Sequence, residues 1–245
     1  MTGATAIILA RAGSRGVPGK NVALVAGRPC IAWTIEHAQQ SREVSAVAVS
    51  SDDPRALEVA ASMGARVIER PLTLANDTAR IDDAARHASG VLGLRDDSHV
   101  AILYANVPVR PNDLTDRALS LLASSGCDSV QSYARCGKHH PWWTARVGDD
   151  GRVAPWEGNV LNHGVFRRQD LPPAFVPDGG TMALRVAALM LRVPGSGEGP
   201  HAFFGRDRRG IETADGAVVD IDTRVDLLVA DALLRERATL NPHTS

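Results

Sequence analysis

The chain is short of the features that mark specialised proteins, and each shortage removes a class. Its 245 residues hold only three cysteines, Cys30, Cys127 and Cys136, with no C-x-x-C spacing among them. An odd, scattered set argues against a disulfide framework or a zinc site and fits reduced thiols. No apolar run approaches the length of a membrane span, which argues against a membrane role. The first residues run straight into a strand pattern, without the layout of a secretory leader, so the expected location is the cytoplasm. Neither charge is in surplus: 27 basic against 28 acidic residues give a net charge of −1. General nucleic-acid binders carry a basic excess, so no nucleic-acid partner is expected. Aromatic residues make up 4%, and three of the four tryptophans fall between residues 135 and 178.

What is present is an ordinary globular composition, 44% hydrophobic and 22% charged, at a length that suits one α/β domain with a modest appendage. Short apolar runs at 4–10, 45–51, 65–70, 99–106 and 128–134 read as strands. Between them, residues 31–40, 55–64, 81–93 and 111–126 carry helical spacing, with Asn112 or Asp113 as a cap and Gly126 as a stop. Such alternation implies right-handed βαβ units and a mostly parallel sheet. Ligands in such sheets lie beyond the carboxyl ends of the strands, where the opening loop, Asp52 and "NVPVRP" fall. From 135 to 178 the helical period vanishes, which reads as a small antiparallel arm. The expected division is therefore one α/β domain from 1–134 and 179–245, with 135–178 inserted. A last strand, "AVVDIDT" at 217–223, and a closing helix from Arg224 complete the pattern.

Two stretches carry chemistry. The loop "ARAGSRGVPGKN" sets Gly13, Gly16 and Gly19 among Arg11, Ser14, Arg15 and Lys20. Glycines let backbone N–H groups converge on phosphate oxygens, and the cations neutralise them. The bland alternative is a glycine-rich turn with solvated basic residues; Asn21 after Lys20 rules out the P-loop pattern. The second stretch is Asp220-Ile221-Asp222, where alternation puts both carboxylates on one face. Two close acids suit a hard divalent cation, most simply Mg²⁺; the alternative is a strand emerging into solvent. "KHHPWW" at 138–143 makes a poor chelate, because adjacent histidines on an extended chain point apart. "GRDRRG" at 205–210 reads as a solvated basic turn.

"LARAGSRGVPGKN" resembles the signature loop of the CMP-sialic acid synthetases, cytidylyltransferases related to CMP-Kdo synthetases. Agreement continues in order through "VSSDD" (49–53), "ERPLTLANDTA" (69–79), "PVRP" (108–111), "RRQDLPPAF" (167–175) and "VDIDTRVD" (219–226). The resemblance implies a Rossmann-like nucleotidyltransferase fold of three α/β/α layers, and a homodimer whose arm reaches over the partner's active site. It implies transfer of CMP from CTP to an acidic sugar with release of pyrophosphate. Arg11, Ser14, Arg15, Lys20 and Asn21 would then hold the triphosphate, and Arg70, Asp77, Thr78 and Ala79 the cytidine. Asp220 and Asp222 would hold Mg²⁺, with Arg11, Lys20 and the two aspartates as the catalytic set.

The acceptor side departs from the family wording. Tyr104 stands for a common glutamine, Asn106-Val107 for Thr-Ser, Asp178 for asparagine, Met182 near a tyrosine, and Ile81 where serine is common. Arg110 and Arg168 remain as forks suited to a carboxylate or phosphonate. Tyr104, Asn106, Arg110, Arg168 and Asp178 are accordingly the expected acceptor contacts. Three rivals stay open: transfer to another acid (a Kdo-like sugar or a small phosphonate), a non-catalytic nucleotide-binding module, and a glycosyltransferase using a D-x-D pair.

Overall fold

Strand β1 (Ala4–Ala10) shows why the chain folds in layers. Ala6, Ile8 and Ala10 enter one apolar cluster, while Ile7 and Leu9 enter another on the opposite face. A strand buried on both sides belongs inside a helix-covered sheet. The computed structural model describes residues 3–13, 16–76 and 78–240. After β1 come a small hairpin, β2 (Leu24–Val25) and β3 (Arg28–Pro29), then α1 (Cys30–Gln40), β4 (Val44–Ser51), α2 (Pro54–Ser62), β5 (Arg66–Glu69), α3 (Ile81–Val91) and β6 (His99–Tyr104). The second half holds α4 (Leu114–Ser125), β7 (Ser129–Arg135), a hairpin of β8 (Ala145–Val147) and β9 (Val153–Pro155), β10 (Phe175–Arg185), α5 (Val186–Leu189), β11 (Arg208–Thr213) and α6 (Arg224–Leu240).

Seven strands form the central sheet in the order β11-β7-β10-β6-β1-β4-β5. Only β10 runs against its neighbours; the other pairings are parallel. Helices α1, α2 and α4 pack on the face of Ala6 and Ile8, and α3 and α5 on the face of Ile7 and Leu9, giving three α/β/α layers. The punctuation follows local chemistry. Asp53 accepts from the Arg55 N–H and Pro54 opens α2, and α4 ends at Gly126 with φ of +67°. None of the described helices is long and apolar enough to cross a membrane.

Two sequence expectations need correction. Residues 217–223 are not a strand of the sheet. Their place at the sheet edge is taken by β11, drawn partly from the supposed basic turn, whose "RRGIET" pairs in parallel with β7. The 219–221 stretch instead runs beside the loop after β6, with the Val219 N–H donating to the Val109 carbonyl at 3.1 Å and the Ile221 N–H to the Asn106 carbonyl at 2.9 Å. Between β7 and β10 the chain makes 3₁₀ turns and the antiparallel β8–β9 hairpin. There His140 acts as a strut: Nδ1 accepts from the Trp142 N–H at 3.1 Å, and Nε2 faces the Pro172 carbonyl at 3.0 Å.

Candidate active site

At the carboxyl ends of β1, β5 and β6 lies a cleft of about 370 Å³. The opening loop lends it Arg11, Lys20 and Asn21; the 220–222 stretch lends Asp220 and Asp222; β6 and its loop lend Tyr104 and Asn106. Residues 74–84 contribute a milder wall of Leu74, Asn76, Ala79, Arg80, Ile81 and Ala84, with Leu9 and Arg70 completing it. A charged wall facing a mostly neutral one suits a ligand with an anionic part and a flat, less polar part.

Each wall is pinned. Asn21, 5% exposed, donates from Nδ2 to the Arg11 carbonyl at 2.9 Å, and the Ala12 N–H donates to Asp52 Oδ1 at 2.9 Å. Arg70 is buried, with Nε donating to Ser50 Oγ at 3.2 Å and Nη2 to the Ser50 carbonyl at 2.6 Å. The Lys20 ammonium lies 2.7 Å from Asp222 Oδ1. Asn106 donates from Nδ2 to Asp220 and to the Ile221 carbonyl. Although 217–223 is not a strand, alternation still holds there, because Ile221 is fully buried while both aspartates line the cleft.

Burial, and after it the charge of Asp222, push Asp220 up to about 6, a penalty a cation would relieve. The pair therefore suits a hard divalent ion, and the Lys20 ammonium on Asp222 acts as a stand-in for one. Among the described residues no cluster of three or more His, Cys, Asp or Glu is placed to hold a metal. Such an ion would draw its remaining ligands from phosphate oxygens and water. Burial, then the charge of Asp220, also drive the Tyr104 phenol up to about 12, so it stays a neutral hydroxyl.

Several expected site residues lie elsewhere. Arg110 is 3% exposed and absent from the cleft wall. Its Nη2 donates to the Tyr104 carbonyl at 3.3 Å, while Nε and Nη1 have no hydrogen-bond partner among the described residues. The residue type suited an anion, but the loop after β6 folds the guanidinium inward. Asp178 is fully engaged: it accepts from the hydroxyls of Ser132 on β7 and Thr213 on β11 and from the Gly180 N–H. It clasps three strands where the β10 register slips between Pro177 and Met182. Arg168 is exposed, in a 3₁₀ turn between β9 and β10, away from the cleft wall. Thr78 is exposed and bonds Asn76 Oδ1 through its N–H and hydroxyl, whereas Ala79 lines the cleft. Ser14, Arg15 and Asp77 lie outside the described residues.

The floor was not legible as a site. Along α1, Cys30, Thr34 and His37 form a buried polar stripe. The Cys30 thiol donates to the Ala105 carbonyl at 3.3 Å, and Thr34 Oγ lies 3.2 Å from the carbonyls of both Tyr104 and Val107. The loop bearing Tyr104 and Asn106 is thus held from beneath. The signal was available as three polar residues at helical spacing within an apolar period.

An α/β/α fold thus sets a glycine-rich basic loop opposite an acidic pair. Residues 5–133, more than half of the chain, match the family described as Cytidylyltransferase. The chain belongs to that family. It is 32% identical over 177 residues to N-acylneuraminate cytidylyltransferase A of Danio rerio, covering 66% of this chain and 40% of that protein. It is 27% identical to the N-acylneuraminate cytidylyltransferase of Streptococcus agalactiae serotype V, covering 91% and 51%. A 115-residue stretch is 35% identical to a pseudaminic acid cytidylyltransferase of Campylobacter jejuni, covering 46% and 50%. The chain thus spans about half the length of these relatives. A solved structure of CMP:2-keto-3-deoxy-manno-octonic acid synthetase complexed with CTP superposes with a TM-score of 0.71 over 96% of this chain and all of that one; at 20% identity this speaks for the fold alone.

Proposed function

We propose that the protein transfers CMP from CTP to an acidic sugar of the sialic acid type, a nonulosonic acid, and releases pyrophosphate. One observation carries the proposal: Lys20 of the signature loop and Asp222, 202 positions apart, meet in a single cleft with Asp220 and Asn21. In this reading the acceptor hydroxyl attacks the α-phosphorus and yields its proton to solvent, the bond from that phosphorus to the bridging oxygen breaks, and pyrophosphate leaves. Arg11, Lys20 and Asn21 bind and orient the triphosphate, with Ser14 and Arg15 assigned to the same task. Arg70 and Ala79 hold the cytidine, with Asp77 and Thr78 assigned beside them. Asp220 and Asp222 hold Mg²⁺, which when bound supplies neutralisation of phosphate charge. The rest of the catalysis is positioning. Tyr104 offers a neutral hydroxyl, and Asn106 fixes Asp220 beside it.

The acceptor's anion is left to Arg168 and its arm, because Arg110 is buried and does not line the cleft. We infer a homodimer in which residues 135–178 complete that side. The support is a run of exposed apolar side chains, Val147, Trp156, Val160 and Phe166, the last 93% exposed.

The test is pyrophosphate release with CTP, Mg²⁺ and a panel of Neu5Ac, legionaminic and pseudaminic acids, Kdo and simple phosphonates. ATP, GTP and UTP serve as rival donors, and Asp222→Asn as the blank. Release that needs CTP and one acid, and vanishes in the blank, supports the transferase and names the acid. CTP binding with no release on any acid would favour a module that only binds.

A further inference from the structure

We propose that Lys20 is a resident counter-ion that occupies the cation seat of the nucleotide-free protein, so that a divalent cation enters together with the triphosphate and not before it. The inference rests on the assignment of Asp220 and Asp222 to a metal and adds a binding order to it.

The three carboxylates near Lys20 are engaged differently. Asp220 is held by the Asn106 amide. Asp226 is spent on the turn, where one oxygen accepts from the Asp222 and Thr223 N–H groups and the Thr223 hydroxyl. The carboxylate of Asp222 is 70% exposed, and Lys20 sits on one of its oxygens. The lysine side chain is only 16% exposed, so its stem is held in the cleft wall and the ammonium is delivered to a fixed place. The same loop closes on Asp222 from its backbone side: a Cβ at Gly16 would come within 2.0 Å of the Asp222 carbonyl oxygen, so only glycine permits the approach. A bare divalent ion must therefore displace the ammonium or sit beside a like charge.

A triphosphate changes this balance. Its oxygens give Lys20 new charged acceptors and free Asp222 for the cation. By linkage, nucleotide then tightens metal binding and metal tightens nucleotide binding by the same factor. A lysine that only grips phosphate would leave the affinity for metal alone untouched.

The test reads binding, not turnover. Mn²⁺ alone is titrated calorimetrically into the wild type, Lys20→Met, Lys20→Arg and Asp222→Asn; CTP is then titrated with EDTA and with Mg²⁺. Lys20→Met keeps the stem and removes the charge, and should bind Mn²⁺ alone at least threefold more tightly while binding CTP more weakly. Lys20→Arg should match the wild type toward Mn²⁺. In the wild type, Mg²⁺ should tighten CTP at least tenfold, and that coupling should shrink in Lys20→Met. Equal Mn²⁺ affinity in the wild type and Lys20→Met, with Asp222→Asn weaker than both, overturns the counter-ion and leaves the metal assignment standing. If Asp222→Asn binds Mn²⁺ as well as the others and Mg²⁺ leaves CTP affinity unchanged, the metal assignment falls and the counter-ion with it.

Discussion

The cleft and the 136–174 segment hold their side chains in opposite ways. Around the cleft, polar side chains reach backbone carbonyls in the interior: Arg70 to Ser50, Asn21 to Arg11, Thr34 to Tyr104 and Val107. In the segment, contacts are local and near the surface. Arg146 lies over Trp156 at 5.0 Å, Trp142 stacks on His163 at 4.8 Å, and Phe166 and Val160 face outward. Buried, water-excluded hydrogen bonds fix position, whereas an exposed apolar surface gains most of its energy only when something covers it. The cleft is pinned from the interior; the segment leaves its large apolar side chains exposed.

The sharpest way to break this contrast is at the acidic pair. Asp222→Asn should lower acceptor-dependent pyrophosphate release by about a thousandfold, the scale of removing a principal charge-stabilising group. Its melting temperature should stay near that of the wild type, because Asp222 is 70% exposed. Rate and stability measured on one preparation decide it: a parallel fall in both would make Asp222 a structural residue.

The interior side can be probed through His37. Burial, and then the nearby positive charge of Arg110, lower it from 6.5 to about 3, so the folded protein keeps it neutral on Thr115. Between those values the unfolded chain binds the extra proton, so stability present above pH 6.5 is lost as the pH falls. The loss approaches about 1.4 kcal/mol per pH unit in the middle of that window. Denaturant unfolding at pH 7.5, 6 and 5 should show that slope in the wild type and a shallower one in His37→Asn. Equal slopes would mean that His37 is charged in the fold or not buried.

The segment predicts the reverse pattern. Phe166→Ser with Trp156→Ser should leave CTP binding intact and weaken self-association, by about 2 kcal/mol if either ring is an anchor. Sedimentation at matched concentrations checks it. A double variant that still dimerises as the wild type does would place the interface elsewhere.

What the sequence disclosed follows the same division. The central parallel strands were legible because both faces of β1, of β6 and of the second half of β4 are buried and read as apolar runs. The opening loop and the Asp220/Asp222 alternation were legible because they are local patterns, and the alternation held even where the expected strand did not form. Long-range partnerships were opaque. Nothing local says that Asp178 will meet hydroxyls 46 residues before it and 35 after it, or that Arg110 will turn inward. Edge strand β11 was hidden by its charge, since an edge tolerates arginines that a central strand would not.

The smallest expected effect is the most discriminating test of how the cleft is held. Thr34 is fully buried on α1, and its single hydroxyl proton is shared between the Tyr104 and Val107 carbonyls at 3.2 Å each. Thr34→Val keeps the shape and removes the donor, leaving Val107 without this partner, while Tyr104 keeps Arg110. The expected loss is about 1–2 kcal/mol of stability, the range for orphaning a buried acceptor. If the polar stripe positions the loop as well as stabilising the fold, the variant should also lose a few-fold in kcat, because Asn106 and Asp220 shift together. Affinity for CTP alone should hardly change, since Arg11, Asn21 and Arg70 are pinned from other elements. A loss of stability with kcat intact would make α1 a scaffold only; a loss of CTP affinity would mean that the two walls of the cleft are mechanically joined through the loop after β6.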